Sequence, residues 1–448
     1  MKKSKLILAS LLALALCLGG IVTPLAAGPG LDSNGALLGT ETNPAQAAIN
    51  KNLKLPVGTN TPPSTFEFEV KSVSVDGVTA TPTNMPLIGT QVGSTATGVV
   101  AISFSGTETA TPVGDVITLQ KESTDIFAGK TFPHAGIYVY EITERENTNA
   151  AIDANPSHED LTYSQAKYTL TVYVKDKTAP ATGTYIYAIG DLKNNNDDGT
   201  SGGGVKVDPT PGGNGTNYTY SQMIFTNVYV KTNGPDDPDD PDPTDDSTLI
   251  VSKTVAGTYG SREIYFNFTV KVTAPSLVTT PPAYKAYIVE GSRIIGAAEM
   301  LASNKVTAAG ADSNGNDYIA FTSGTEKTFS LRHNQRLVFI NTPVGTSYNA
   351  AEDGTPAYKA TLDITCNNTP DTGNTFGAAN TLGVGVSVSG KLVGELLNQA
   401  AFTNTRDEVT PTGLNLNDIP FIGLIALALS AIAFYVVYKA RKRKGYNN

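Results

Sequence analysis

Apolar and polar residues alternate with a period of two in Phe66-Glu67-Phe68-Glu69-Val70, Tyr138-Val139-Tyr140-Glu141-Ile142 and Tyr168-Thr169-Leu170-Thr171-Val172-Tyr173-Val174. Residues two apart on a strand share a face, so each run predicts a half-buried strand. Similar runs bounded by Gly, Pro and Asn fill the middle of the chain, and sustained helical periodicity is confined to the two ends. Many short strands at turn-punctuated spacing predict an all-β chain of immunoglobulin-like sandwiches. Its 448 residues leave room for two or three domains of about 100–200 residues each. The Gly- and Asn-rich stretch 194–215 reads as a long loop.

One segment breaks the pattern. Pro235 to Asp246 reads PDDPDDPDPTDD, which has no apolar surface to bury and is expected to run as extended polyproline II. At about 3.1 Å per residue it makes a stiff spacer of nearly 40 Å. It lacks the Gly and terminal Glu of an EF-hand loop, so the spacer reading is preferred to calcium binding. The expected organisation is a first sandwich over 48–232, a linker over 233–247 and a second sandwich over 248–408.

The two ends carry different signals. Lys2, Lys3 and Lys5 precede an uncharged stretch from Leu6 to Val22, and Ala26 and Ala27 follow. This is the layout of a secretory signal peptide spanning 1–27. Cys17 falls inside it, which leaves Cys366 as the one exported thiol and excludes an intrachain disulfide. From Ile419 to Tyr438 no residue is charged, a length sufficient to cross a bilayer core of about 30 Å. The basic run Lys439 to Lys444 then holds that end in the cytoplasm. Just ahead of this span stands Val409-Thr410-Pro411-Thr412-Gly413. The order Pro-Thr-Gly, apolar span and basic tail in 409–448 resembles the cell-wall sorting signal that sortases cut between Thr and Gly. The leading Leu-Pro of its commonest version is missing.

Charge narrows the function classes. Only 16% of residues are charged, and between the two terminal segments 24 basic face 40 acidic residues. Such a body argues against nucleic-acid binding. His134, His158 and His333 are scattered without metal-ligand spacing, and no nucleophile motif or phosphate-cradling loop is evident, so no metal or cofactor is expected. Cys366, in Thr365-Cys366-Asn367, reads as an inert thiol rather than a nucleophile or thioester partner.

The candidate chemistry lies in an internal repeat. The first domain has Lys51, the Phe66–Val70 run, Glu144 and Phe225-Thr226-Asn227. The second has Lys253, Phe266-Asn267-Phe268-Thr269-Val270, Glu352 and Phe402-Thr403-Asn404. By strand parity Lys51 shares a face with Ile49, Leu53 and Leu55, and Lys253 with Leu249, Val251 and Val255. Lysines on a core face are unusual, whereas Lys54 falls on the opposite, solvated face. Burial lowers a lysine pKa and raises a glutamate pKa, giving a nucleophilic amine beside a protonated carboxyl able to bond the asparagine carbonyl. The amine can attack the amide, Glu144 or Glu352 shuttling protons while ammonia leaves, to give a Lys–Asn isopeptide bond. A single such triad reads better as a buried ion pair. Two in matching order favour the reaction.

On these residues the segment Ala48–Gly413 resembles the backbone pilins of sortase-assembled Gram-positive pili. Those are Ig-like domains with autocatalytic isopeptide bonds, the lysine in the first strand, the glutamate in an internal strand and the asparagine in the last. The resemblance implies a structural shaft subunit, not an enzyme, located on the cell wall or in a pilus. Its implied partners are sortase, other pilin subunits and peptidoglycan. It also implies an acceptor lysine for the next subunit, for which Lys206 is the candidate. A monomeric wall-anchored adhesin or minor pilin, with an unidentified host ligand, and a secreted enzyme are the alternatives.

Overall fold

The computed structural model describes residues 38–93, 96–154, 158–212, 220–234, 249–371, 381–407 and 419–444. The expected signal peptide, the Asp/Pro segment from Pro235 to Asp246 and the Val409–Gly413 motif lie outside the described residues.

Two β-sandwiches follow one another. In the first, one sheet runs Ile224–Asn233, Asn50–Pro56 and Val116–Glu122, with Glu159–Thr162 also paired to Ile224–Asn233. The facing sheet is ordered Ser201–Val207, Thr184–Asn195, Lys167–Asp176, Gly136–Glu144, Ser64–Val75 and Thr97–Phe104. The alternating runs read from the sequence lie inside these strands, and their inward residues Phe66, Phe68, Tyr138, Tyr140, Tyr168 and Leu170 form the core between the sheets. The second sandwich places Leu249–Ala256 between Gln335–Ile340 and Asn398–Thr405 in one sheet. Its other sheet runs Glu326–Leu331, Phe266–Thr273, Ser347–Glu352 and Val386–Leu392.

First and last strands of each domain lie side by side. Asn50–Pro56 pairs with Ile224–Asn233, and Leu249–Ala256 with Asn398–Thr405. These two pairings are parallel, while all other strand pairings among the described residues are antiparallel. Each domain thus closes around its own chain ends.

Within the stretch 194–215, residues 201–207 depart from the loop reading. Ser201–Val207 forms an edge strand antiparallel to Thr184–Asn195. A ladder is built from backbone and needs no large side chains, and at Gly202 a Cβ would sit 2.7 Å from the Lys193 carbonyl. Gly203 and Gly204 have φ of 69° and 63°, a left-handed backbone that glycine adopts without strain.

The domains also touch, where the sequence suggested separation by a stiff spacer. The last strand of the first domain runs to Asn233, and Thr232 and Asn233 pair with Pro343 and Thr342 of the second. Val344 N–H donates to the Lys231 carbonyl, and Asn233 Nδ2 donates to the Gly394 carbonyl at 3.1 Å. Glu395 accepts from the Asn60 N–H at 2.6 Å and from Lys231 Nζ at 3.0 Å. Asp115 accepts from the Ser276 N–H and hydroxyl. Backbone pairing resists rotation in a way that a linker alone does not.

In the C-terminal segment Ile419–Lys444 is a single helix, and its Pro420–Lys442 portion is long and apolar enough to cross a membrane.

Because Glu395 serves two donors from the other domain, Glu395→Ala should loosen the contact by about 1 kcal/mol or less, as for a partly exposed ion pair. Spin labels on the two domains should then show a broader distance distribution, with each domain's own urea resistance unchanged. An unaltered distribution would place the coupling elsewhere.

Candidate functional site

The parallel pairing sets the spacing of lysine and asparagine. Lys51 stands opposite Phe225 and Leu53 opposite Asn227; in the second domain Lys253 stands opposite Phe402 and Val255 opposite Asn404. The asparagine is therefore one inward position further along in both, a diagonal that long side chains span. The glutamate comes from the facing sheet, where Glu144 is in register with Phe68 and Glu352 with Phe268. All six residues that the sequence singled out are buried, in two groups of three.

Lys51 Nζ lies 2.7 Å from each carboxylate oxygen of Glu144, and Asn227 Nδ2 donates to Oε1 of the same carboxyl at 2.8 Å. In the second domain Lys253 Nζ lies 2.6 Å from Glu352 Oε2, and Asn404 Nδ2 donates to Oε1. The side chains of both Lys–Glu pairs are fully enclosed. Two phenyl rings face each amine: Phe66 at 4.4 Å and Phe68 at 5.7 Å from Lys51 Nζ, Phe266 at 4.1 Å and Phe268 at 6.0 Å from Lys253 Nζ. Their faces stabilise a cation while their bulk keeps water away.

These rings carry a role that alternation alone did not suggest, since the Phe-x-Phe runs read as ordinary core strands. The amide orientation also differs from the sequence reading, in which the glutamate bonds the asparagine carbonyl. Glu144 meets the amide nitrogen, and Asn227 Oδ1 instead accepts the Ser164 backbone N–H at 2.7 Å. A backbone donor leaves no signature in a sequence.

Electrostatics push each pair toward neutrality. Burial lowers Lys51 and Lys253 to about 8, against the opposing pull of the carboxylate beside each. Burial likewise raises Glu144 and Glu352, opposed by the lysine and by the asparagine hydrogen bond. Each site thus holds an amine that gives up its proton readily and a carboxyl that takes one readily, with the amide hydrogen-bonded to that same carboxyl, in a region closed to water.

The other candidates lie apart. Lys206 is exposed on the Ser201–Val207 edge strand. Cys366 is half-buried, and burial pushes its thiol up, away from nucleophilic use. His333 accepts the Val255 N–H through Nδ1 at 3.0 Å. Among the described residues no cluster of three or more His, Cys, Asp or Glu is placed to hold a metal ion.

With this geometry in view, residues 47–230 match the family model of the Spy0128-like isopeptide containing domain. Residues 247–406 match a family described only as a domain of unknown function. The first match supports a Gram-positive pilin, as the resemblance in the sequence implied. Among solved structures, the major pilin of Streptococcus pyogenes is 18% identical, covering 82% of this chain and 100% of that one, with a TM-score of 0.29. The T3.2 major pilin of the same organism is 17% identical over 81% and 98% of the two chains, with a TM-score of 0.28. A pilus-presented adhesin is 11% identical over 80% and 99%, with a TM-score of 0.21. Scores at this level carry no argument about the arrangement of the whole chain. No curated protein matches it.

The buried lysines set a pH dependence for a chain that cannot cross-link, Asn227→Ala with Asn404→Ala. Each lysine titrates near 8 when folded and near 10.5 when unfolded, so between these values the unfolded chain binds more protons and stability rises with pH. Above about 10 the buried tyrosines Tyr140, Tyr168 and Tyr348, held neutral by burial, reverse the slope. The urea midpoint should therefore be higher at about pH 9.5 than at about pH 7.5. A flat or falling midpoint over that window would contradict the burial argument.

Proposed function

We propose that this chain is a pilus subunit whose two domains each close an intramolecular Lys–Asn isopeptide bond, Lys51 to Asn227 and Lys253 to Asn404. Glu144 and Glu352 serve as the proton carriers. The observation that carries this reading is the duplicated, water-excluded Lys–Glu–Asn contact, built from the same three strands in both domains. The matched pilin family is structural, which favours a mechanical role over turnover. Each bond ties the first strand to the last and encloses nearly its whole domain. Closing loops of this length would remove about 5 kcal/mol of unfolded-state entropy each, by analogy with disulfides. In a parallel pair loaded from opposite ends, tension would pass from one strand to the other through the bond.

The same reading has sortase cleave between Thr412 and Gly413, after the C-terminal helix has held the chain at the membrane. Joined to peptidoglycan, the chain would be wall-anchored; joined to Lys206 of another subunit, it would extend a shaft. The exposed position of Lys206 on an edge strand suits an acceptor.

A recombinant segment from Ala48 to Glu408 is expected to weigh less than its sequence by two ammonia molecules. Glu144→Ala should restore one and lower the melting temperature and protease resistance of the first domain alone. A full sequence mass in the wild type would falsify the cross-linking. In cells that carry the sortase, Lys206→Arg should abolish high-mass polymers and leave wall anchoring through Thr412 intact; ladders that persist would assign the acceptor to another lysine.

A further inference from the structure

The two buried amides differ at their oxygens. Asn227 Oδ1 accepts the Ser164 N–H at 2.7 Å, whereas Asn404 Oδ1 is buried with no hydrogen-bond partner among the described residues. A backbone N–H can only donate, so the Ser164 contact fixes the Asn227 amide with its oxygen toward Ser164 and its nitrogen toward Glu144. Ser164 is itself held in place. Its hydroxyl donates to Asp197 Oδ1 at 2.5 Å and accepts the Ala166 N–H at 3.1 Å. Asp197 Oδ1 also accepts the N–H of Thr226, the residue before Asn227, at 2.8 Å. The Gln165 N–H donates to the Asp197 carbonyl at 2.9 Å. One carboxylate thus ties the turn carrying the donor to the strand carrying the amide.

We propose that the Ser164 N–H is the oxyanion donor for the Lys51–Asn227 reaction, positioned by Asp197, and that the second domain, with no counterpart, closes its bond more slowly. The inference rests on the isopeptide reading above. Lys51 Nζ attacks Asn227 Cγ with its lone pair, a C–N bond forms, and the carbonyl π pair moves onto Oδ1, where the Ser164 N–H meets the developing charge. Glu144, in contact with both nitrogens, takes a proton from Nζ and delivers one to Nδ2. The Cγ–Nδ2 bond breaks, the carbonyl re-forms and ammonia leaves. In the second domain Glu352 also touches both nitrogens, but among the described residues no donor meets Asn404 Oδ1. Negative charge forming on a buried, unpaired oxygen raises the barrier, and losing one such donor typically slows acyl transfer about 10²–10³-fold.

The test uses the full chain made in a cell-free reaction, with samples quenched in acid at intervals and digested. The Lys51–Asn227 and Lys253–Asn404 cross-linked peptides are then quantified by mass. The first bond should form about a hundredfold faster or more. Equal rates, or a faster second bond, would overturn the inference while leaving the isopeptide reading intact; absence of both cross-links would sink that reading too. Ser164→Pro, which removes the N–H, should slow the first bond alone, with the second in the same molecule as control. Its rate should fall by one factor at every pH, because the Lys51–Glu144 pair is untouched. A shifted pH profile would mean that the pair was distorted and would count against the donor role. Ser164→Ala keeps the N–H but loses the hydroxyl contact to Asp197, so it should slow the first bond clearly less than Ser164→Pro does, and equal slowing by both variants would also overturn the assignment. Should Ser164→Pro fail to fold, as read by protease resistance, Asp197→Asn should slow the first bond with an unshifted profile, and an unchanged rate there would remove the positioning role.

Discussion

An amine enclosed in an apolar core is the constraint on which each domain is organised. An isolated buried ammonium would cost many kcal/mol in solvation, so the chain must supply a countercharge, let the amine go neutral, or both. Here both are present: a carboxyl at hydrogen-bond distance from Lys51 and from Lys253, and burial that moves lysine and glutamate toward their uncharged forms. The aromatic faces of Phe66 and Phe266 complete the enclosure. A core that had only to be stable would be better filled by an apolar residue, since hydrophobic replacement of buried ion pairs is often neutral or stabilising. That such a pair appears twice, each beside an asparagine amide, is what the proposed reaction accounts for.

Strand order converts that local chemistry into a domain-wide property. Because first and last strands are adjacent and parallel, residues far apart in sequence become diagonal neighbours, and the facing sheet needs to contribute only one carboxyl. In the proposed reading a bond at this place shields almost everything between its ends from load. The last strand of the first domain then continues past its own sheet to pair with Thr342 and Pro343. The strand bearing Asn227 is therefore also the one that meets the second domain. Lys231, four residues further on, pairs with Glu395 there.

The two sites are nevertheless not copies. Their lysine, glutamate and paired phenylalanines superimpose in role and register, but the first has a turn at Ser164, braced by Asp197, that reaches the amide oxygen. Among the described residues of the second domain, the equivalent oxygen has no partner. A repeat detected by matching side chains conceals this difference, because it lies in which backbone group approaches from outside the repeat.

Much was legible in the chain itself. Period-two alternation located the strands holding Phe66, Tyr138 and Tyr168, and parity put Lys51 and Lys253 on the core face while sending Lys54 to the other, because side-chain direction follows from backbone geometry alone. Repetition of Lys, Glu and Asn in one order pointed to shared chemistry. Other features depended on contacts between distant segments, to which local pattern is blind. The Gly-rich 201–207 stretch is a strand because a neighbouring strand offers it a ladder, and the domains abut because the chain beyond Lys231 finds an edge to pair with. The amide orientation at Asn227 was decided by a single backbone N–H on a loop more than sixty residues earlier in the chain. Every non-proline residue carries that same donor, so only tertiary structure determines which one arrives at the reacting oxygen.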